Sequence, residues 1–280
     1  MSKIKIVTDS TMDMTIEQAD QLGVVVVPLS VTINGETYLD RVEIQPAEFI
    51  ETMKSLEELP KSSQPSAGTF LEVYDRLGEE GYEVISIHMT GKMSGTVRSA
   101  ESAAQMTNTK VTVVDSKFIS IALQFQVQVA ADMAKQDKSV EEILDRLDHV
   151  REHTKLYIMI DTLENMVKGG RIGKGKAFIG SLLNIKPIAS LEGAEYNPVA
   201  KVRSHSQVVK WLAKQFAEDV KGKTVKRVGI VHAEAHELAT KLKDAIMELT
   251  GYNGITIDYT GPTISTHTGQ GTIAIMYYYE

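Results

Sequence analysis

Apolar and polar positions follow two different patterns along this 280-residue chain. In the first half, short β-branched runs alternate with stretches whose apolar residues recur every three to four positions, which predicts strands alternating with amphipathic helices. The predicted strands are 3–8, 24–27, 84–88 and 110–115. The predicted helices are 16–22, 47–56, 67–77, 97–106, 119–135 and 140–152. This alternation favours an N-terminal α/β/α domain over residues 1–153, with a parallel sheet and helices on both faces.

The pattern changes after residue 153. The predicted strands are 156–160, 185–191, 199–202, 228–232, 255–259 and 272–279, and the predicted helices are 207–220 and 236–249. The segments 185–191 and 199–202 read as a hairpin about Glu192-Gly193. Hairpins require antiparallel pairing. We therefore predict a second, two-layer α/β domain over residues 154–280, in which helices cover one face of a mixed sheet.

Three local signals refine the first domain. Asn34-Gly35 lies between two short apolar runs and predicts a tight hairpin turn. The continuous run Val24–Val27 predicts a buried parallel strand. Residues 59–66 carry two prolines and three serines, which predicts a break in regular structure, with Pro65 in the first turn of the helix that follows.

Composition narrows the class of protein. A chain of 280 residues that is 42% apolar is long enough for two packed domains. The net charge of −7 argues against a general nucleic-acid binder, and the absence of cysteine excludes disulfides, thiolate metal sites and a Cys nucleophile. No segment resembles a signal peptide, and the longest apolar runs are too short to span a bilayer. We expect a cytoplasmic protein without a transmembrane segment.

Candidate chemistry centres on the segment Thr90–Thr96, which joins a predicted strand to a predicted helix. Its hydroxyls and glycines, together with the unpaired N–H groups of the helix N-terminus, suit it to bind an anion. The plainer interpretation is that Ser94 caps the helix and Gly95 makes a turn. Ser62 and Ser63 also precede a predicted helix, and Ser265–Gly271 reads as a loop with hydroxyls about His267. These two stretches favour anion binding.

Familiar nucleotide and metal motifs are missing from the sequence. Neither Gly169–Lys176 nor Gly91-Lys92-Met93 satisfies the phosphate-loop pattern, and no dinucleotide fingerprint follows the first strand. His232 and His236 do not stand in the order of a zinc-protease motif, and a strand-to-helix junction is expected to separate them. We expect no metal and no cofactor. Hydroxyls and an imidazolium remain, and these groups suit a carboxylate shielded from water.

Six ordered motifs carry a resemblance to a known family. They are Asp9-Ser10-Thr11, Ser62-Ser63-Gln64-Pro65, Met93-Ser94-Gly95-Thr96, Asp115-Ser116, Gly170-Arg171-Ile172 and Thr266-His267-Thr268-Gly269-x-Gly271. On these motifs, over essentially its whole length, the chain closely resembles the DegV family. Within that family it resembles the fatty-acid-binding subunits of bacterial fatty-acid kinase. The resemblance implies two α/β domains with a long-chain fatty acid between them.

The resemblance also implies a role for individual residues. It places the carboxylate-binding groups on Ser62, Ser94 and His267, and it places Arg171 and Arg203 near the carboxylate end, where a kinase subunit would dock. It implies a non-catalytic subunit that presents the fatty acid to a separate ATP-binding kinase, so that the acyl phosphate enters phospholipid synthesis. The expected partners are the fatty acid and this kinase, with at most a transient contact with the membrane surface.

The chain departs from the family pattern at two places. Ser62 stands where many members have threonine, which keeps the hydroxyl, and Thr90–Met93 stands where Ser-Ser-Gly-Leu is common. Other functions stay open: a lipid-sensing regulatory protein without a kinase partner, a subunit like those of dihydroxyacetone kinase, or a serine hydrolase that uses Ser94 or Ser62 with His267. The sequence lacks the Gly-x-Ser-x-Gly elbow of many hydrolases.

Overall fold

The computed structural model describes residues 3–178 and 185–280. Its strands are β1 Lys3–Asp9, β2 Val25–Val27, β3 Ser30–Ile33, β4 Glu36–Leu39, β5 Lys61–Ser63, β6 Tyr82–His88, β7 Val111–Asp115, β8 Thr154–Met159, β9 Lys186–Ser190, β10 Asn197–Val202, β11 Val225–His232, β12 Ile255–Tyr259 and β13 Ile273–Tyr279. Its helices are α1 Ile16–Leu22, α2 Pro46–Lys54, α3 Ala67–Glu79, α4 Thr96–Met106, α5 Ser120–Lys135, α6 Val140–Glu152, α7 Glu164–Lys168, α8 His205–Asp219, α9 His236–Thr250 and α10 Pro262–Thr268.

The chain forms two compact units. The first comprises residues 1–45 and 62–152, and the second comprises residues 46–61 and 153–280. The pattern of strands and helices predicts residues 46–61 in the N-terminal domain, but α2 buries Phe49 and Ile50 and contacts α10 of the second unit. The predicted boundary differs from the observed one because the apolar face of a helix indicates that the helix is packed against another element, but the sequence does not indicate which element that is.

A four-stranded parallel sheet forms the centre of the first unit. Its order is β2-β1-β6-β7, and Ile6 of β1 pairs with Ile85 of β6. The helices α3 and α4 bury Phe70 and Ala100 against one face, while α5 packs on β1 and β6. This arrangement confirms the α/β/α prediction. The run Val24–Val27 pairs in parallel with β1 as predicted, but β2 is an edge strand and only part of the run is buried: Val24 and Val27 are buried, whereas Val25 and Val26 are half-buried.

A smaller three-stranded sheet, in the order β4-β3-β5, carries the segment of Ser62. Its β3–β4 turn has left-handed backbone at both Asn34 (φ 50°) and Gly35 (φ 89°), which confirms the predicted hairpin. The expected break at 59–66 is wrong for Lys61–Ser63, which pairs as β5. Ser66 caps α3 by accepting a bond from the Thr69 N–H, so Pro65 precedes the cap instead of lying in the first turn.

A six-stranded mixed sheet forms the centre of the second unit. Its order is β10-β9-β8-β13-β11-β12, and all its pairs are antiparallel except β11 with β12. The core on one face includes Leu212 and Phe216 of α8 and Leu242 and Ile246 of α9. The predicted mixed sheet and the predicted hairpin, here β9 with β10, are therefore confirmed.

Candidate functional site

The loop that follows β6 carries Ser94 at the N-terminus of α4. The Ser94 hydroxyl lies 2.8 Å from the Thr96 hydroxyl and accepts a hydrogen bond from the Thr96 N–H at 3.3 Å. The cap residue Gly95 offers no side-chain acceptor to the helix. Two hydroxyls and the positive end of an eleven-residue helix therefore lie together, which is the arrangement expected for holding an anion.

The segment that carries Ser62 lies beside this loop. Gln64, two residues after Ser62, packs so closely on Gly95 that a Cβ atom at position 95 would lie 2.2 Å from the Gln64 Oε1 atom. The Gln64 amide nitrogen also donates to the Ser99 hydroxyl of α4 at 2.9 Å. The structure thus brings the two hydroxyl-bearing segments of the first unit together, and it does so through Gln64.

His267 lies in α10, a short helix that begins with Pro262. The prediction that His267 lies in a loop is therefore wrong. Gly269 and Gly271 follow these residues closely and make the segment resemble a loop, but the helix continues to Thr268 and ends where Gly269 has a positive φ of 73°. Most residues of α10 are buried, so this helix is a packed element of the second unit.

The structure joins His267 to Arg171 through Gly169. A Cβ atom at position 169 would lie 2.2 Å from the His267 Nδ1 atom, and the Arg171 guanidinium donates to the Gly169 carbonyl at 2.7 Å. Gly169 was not predicted as a site residue. In a sequence, a glycine that close packing requires cannot be distinguished from a glycine that a turn requires.

Burial controls the protonation of His267. Desolvation, with a smaller contribution from the positive charge of Arg171, lowers the pKa of His267 from 6.5 to about 4. At pH 7 this environment favours the neutral imidazole; the predicted imidazolium would have to be stabilised by the carboxylate of a bound ligand. A neutral imidazole can still donate a hydrogen bond to an anion, and the Arg171 guanidinium supplies a positive charge near His267.

Arg203 lies on an exposed part of the second unit, between β10 and α8. Its backbone N–H donates to the Gln207 side chain at 2.8 Å. It lines a surface groove of about 500 Å³ together with Lys210, Trp211 and other residues of α8. In the described part of the chain no hydrogen bond or ion pair joins Arg203 to His267 or Arg171, so the structure places it on a basic surface.

Comparison with known proteins identifies the family. The sequence model of a family described as "Uncharacterised protein, DegV family" matches residues 3–280. The chain belongs to the DegV family. A DegV domain-containing protein of Listeria monocytogenes is 43% identical over 279 residues, which cover 99% of each chain. One from Staphylococcus aureus is 41% identical over 276 residues, again 99% of each chain.

Solved structures of DegV proteins share the fold. A DegV family protein from Thermus thermophilus, described by its fatty acid binding, superposes with a TM-score of 0.92 at 33% identity and 99% coverage of both chains. DegV from Bacillus subtilis, described as a fatty acid binding protein, gives a TM-score of 0.91 at 32% identity and full coverage of both chains. The two-domain α/β architecture of this DegV chain is therefore that of fatty-acid-binding relatives.

Two histidines of this DegV chain lie closer together than the sequence suggested. His232 ends β11 and His236 begins α9, yet the His232 Nε2 and His236 Nδ1 atoms are 3.3 Å apart. The expectation that the junction would separate them was wrong, since the chain reverses within three residues. Across residues 3–178 and 185–280, no group of three or more His, Asp or Glu side chains is placed to hold a metal ion. Over the same residues, no helix combines the length and apolarity needed to cross a membrane.

Proposed function

We propose that this DegV protein binds a long-chain fatty acid and holds its carboxylate with the hydroxyls of Ser62 and Ser94 and the imidazole of His267. The observation that carries the proposal is the packing of Gln64 on Gly95, which sets the Ser62 segment beside the Ser94 loop at a helix N-terminus. Charge-assisted hydrogen bonds from hydroxyls offset the cost of removing a carboxylate from water. The fatty acid binding of the relatives from T. thermophilus and B. subtilis supports the same ligand class.

The proposed role of the protein is that of a non-catalytic subunit. It presents the bound carboxylate to a separate ATP-dependent kinase in the cytoplasm, and the acyl phosphate then serves phospholipid synthesis. The support is the basic groove about Arg203, whose cations complement an acidic partner surface, together with the cation of Arg171 beside His267. A transient contact with an anionic membrane surface is compatible with the same charge.

The fatty-acid proposal is tested by removing one hydroxyl. With delipidated protein, Ser94→Ala should weaken palmitate binding by about 1–3 kcal/mol, since a carboxylate oxygen loses a donor. Ser102→Ala is a matched control, because Ser102 is an exposed serine of the same helix that donates to the Arg98 carbonyl. Isothermal titration calorimetry checks both variants. Unchanged affinity in Ser94→Ala would contradict the carboxylate assignment.

The kinase proposal needs a separate measurement. In a reconstituted reaction with ATP, palmitate and a candidate kinase subunit, Arg203→Ala should raise the concentration of this protein needed for half-maximal acyl-phosphate formation. Its palmitate affinity should stay unchanged, because Arg203 lies on the exposed groove. Failure of the wild-type protein to support acyl-phosphate formation with any kinase subunit of its own cells would favour a lipid-binding protein that has no kinase partner.

A further inference from the structure

Asp9, the last residue of β1, is a buried carboxylate surrounded by hydrogen-bond donors. One oxygen, Oδ1, accepts from the Thr11 N–H at 3.0 Å and from the Thr11 hydroxyl at 2.6 Å. The other oxygen, Oδ2, accepts from the Met89 N–H at 2.9 Å and lies 3.1 Å from the His88 Nδ1 atom. The side chains of Asp9 and His88 are both fully buried. The carboxylate therefore organises its surroundings through directed hydrogen bonds.

The bond to Met89 ties Asp9 to the loop that carries Ser94. Met89 is the first residue after β6, and the chain runs from there through Thr90 to Ser94. Thr90 is anchored in turn, since its N–H donates to the Phe118 carbonyl at 2.8 Å, and the Met93 N–H donates back to the Thr90 carbonyl at 3.1 Å. The start of the Ser94 loop is thus set by a carboxylate oxygen of Asp9.

A chain of buried side chains fixes the histidine that faces Asp9. The Tyr74 hydroxyl donates to the Ser86 hydroxyl at 2.7 Å, and the Ser86 oxygen lies 2.7 Å from the His88 Nε2 atom. Because the Asp9 Oδ2 atom already accepts from the Met89 N–H, the His88 Nδ1 atom that faces it is the donor of their hydrogen bond.

Ser10, the next residue, ties the same chain segment to the small sheet of Ser62. Its hydroxyl accepts from the Leu29 N–H at 3.1 Å and donates to the Asp40 carboxylate at 3.0 Å. Leu29 immediately precedes β3, and β3 is the neighbour of β5, the strand that contains Ser62. Asp40 follows β4, and its N–H donates to the Leu29 carbonyl at 2.9 Å. Ser10 thus holds both ends of the β3–β4 hairpin.

We propose that Asp9 and Ser10 are positioning residues that set the Ser94 loop and the Ser62 strand, respectively, and so give the site its preference for a carboxylate head group. The inference rests on the proposed function. It explains why an Asp-Ser pair follows β1 although neither side chain is assigned to the ligand. It also makes the selectivity of the site depend on two residues that the ligand does not touch.

The substitution Asp9→Asn removes the acceptor pattern while keeping the size of the side chain. An amide has one acceptor oxygen and one NH₂ group, whereas both oxygens of Asp9 face two donors each. In either orientation of the amide, its NH₂ group opposes two donors. The Thr11 turn or the Met89 and His88 donors must therefore move.

The test compares palmitic acid with hexadecanol, which has the same chain but no carboxylate. Affinities are measured on delipidated full-length protein by displacement of a fluorescent acyl probe. Asp9→Asn and Ser10→Ala should each lower the preference for the acid over the alcohol about tenfold, while the affinity for hexadecanol changes less than twofold. A purely structural role would weaken both ligands equally, so an equal loss, or an unchanged preference, overturns the inference.

One control variant completes the experiment. Tyr277→Phe removes the hydrogen bond from a buried tyrosine of the second unit to Asp219, outside the Asp9 and Ser10 networks, and should leave the acid preference within twofold of wild type. Ser10→Ala removes only one oxygen atom and keeps the inference testable if Asp9→Asn fails to fold. If the wild-type protein binds neither ligand, the proposed function falls; if wild type prefers palmitic acid and both variants keep that preference, only the positioning roles fall.

Discussion

The end of the Gln64 side chain occupies the place that a Cβ atom at position 95 would take. A Cβ atom at position 95 would lie 2.2 Å from the Gln64 Oε1 atom, so in Gly95→Ala the end of the Gln64 side chain must shift, and we expect it to lose its bond to Ser99. We expect palmitate affinity to fall about fivefold, equivalent to about 1 kcal/mol for one hydrogen bond. Gly68→Ala is the matched control: its new Cβ would meet the Ser66 hydroxyl at an ordinary 3.6 Å, and alanine favours a helix. Equal affinities in the two variants would contradict the role of this packing.

The low pKa of His267 has a consequence for stability. The folded protein keeps the imidazole neutral down to a pKa of about 4, whereas the unfolded chain protonates it near 6.5. Protons therefore favour the unfolded state below pH 6.5, and His267 alone should reduce the free energy of unfolding of the second unit by about 2 kcal/mol between pH 7 and pH 5.

Comparison with His267→Gln isolates this effect. Burial, with a smaller effect of His236, lowers the pKa of His232 to about 4 as well, but His232 is present in both proteins and cancels in the difference. Urea unfolding at pH 5 and pH 7 should show a smaller loss of stability on acidification in His267→Gln than in the wild type. The same pH dependence in both proteins would show that His267 titrates near its ordinary pKa.

At the scale of elements, α2 is unusual because it packs in the second unit, although residues 62–152, which belong to the first unit, separate it from the rest of the second unit in the sequence. Phe49 and Ile50 are buried on this helix, which contacts α10, the helix of His267. Phe49→Ala should destabilise the second unit by about 3–5 kcal/mol through the cavity it leaves. Hydrogen exchange should then accelerate in peptides covering α2 and α10 and stay unchanged in those covering β1 and β6. Faster exchange in β1 and β6 alone would contradict the assignment of α2 to the second unit.

Regular elements were predictable where local sequence decides them. The long helices α5 and α6, the strand β6 and the Asn34-Gly35 turn follow from periodicity and turn chemistry. The errors have a common physical origin. Val25 is only half-buried because β2 is an edge strand, α2 packs on a distant element, and α10 is a helix held by tertiary packing although glycines surround it. Each depends on neighbours that are remote in sequence.

The residues of the candidate site also fall into two groups, those that the sequence indicates and those that only the packing reveals. Ser94 and His267 were recognisable because hydroxyls, an imidazole and glycines cluster about them in the sequence. The roles of Gly169 and Gln64 were not recognisable from the sequence. Gly169 packs against His267, which is 98 positions away along the chain, and Gln64 packs against Gly95, which is 31 positions away. The neutral state of His267 was also out of reach, because desolvation is a property of packing.

For the whole molecule, the proposal gives one ligand partners in both units, since Ser62 and Ser94 belong to the first and His267 to the second. A ligand that binds only the folded state stabilises each unit that must be folded for binding. The free energy of unfolding rises by about 2.7 kcal/mol at a free ligand concentration of 100 times Kd. Palmitate should therefore raise the unfolding temperature of both units in differential scanning calorimetry and slow hydrogen exchange in β6 and α10 alike.

Butyrate, which carries the carboxylate without the long apolar chain, is the matched control and should have little effect at the same concentration. Ser94→Ala should reduce the palmitate effect on both units together. A palmitate shift confined to one unit would show that the residues of the other do not hold the fatty acid.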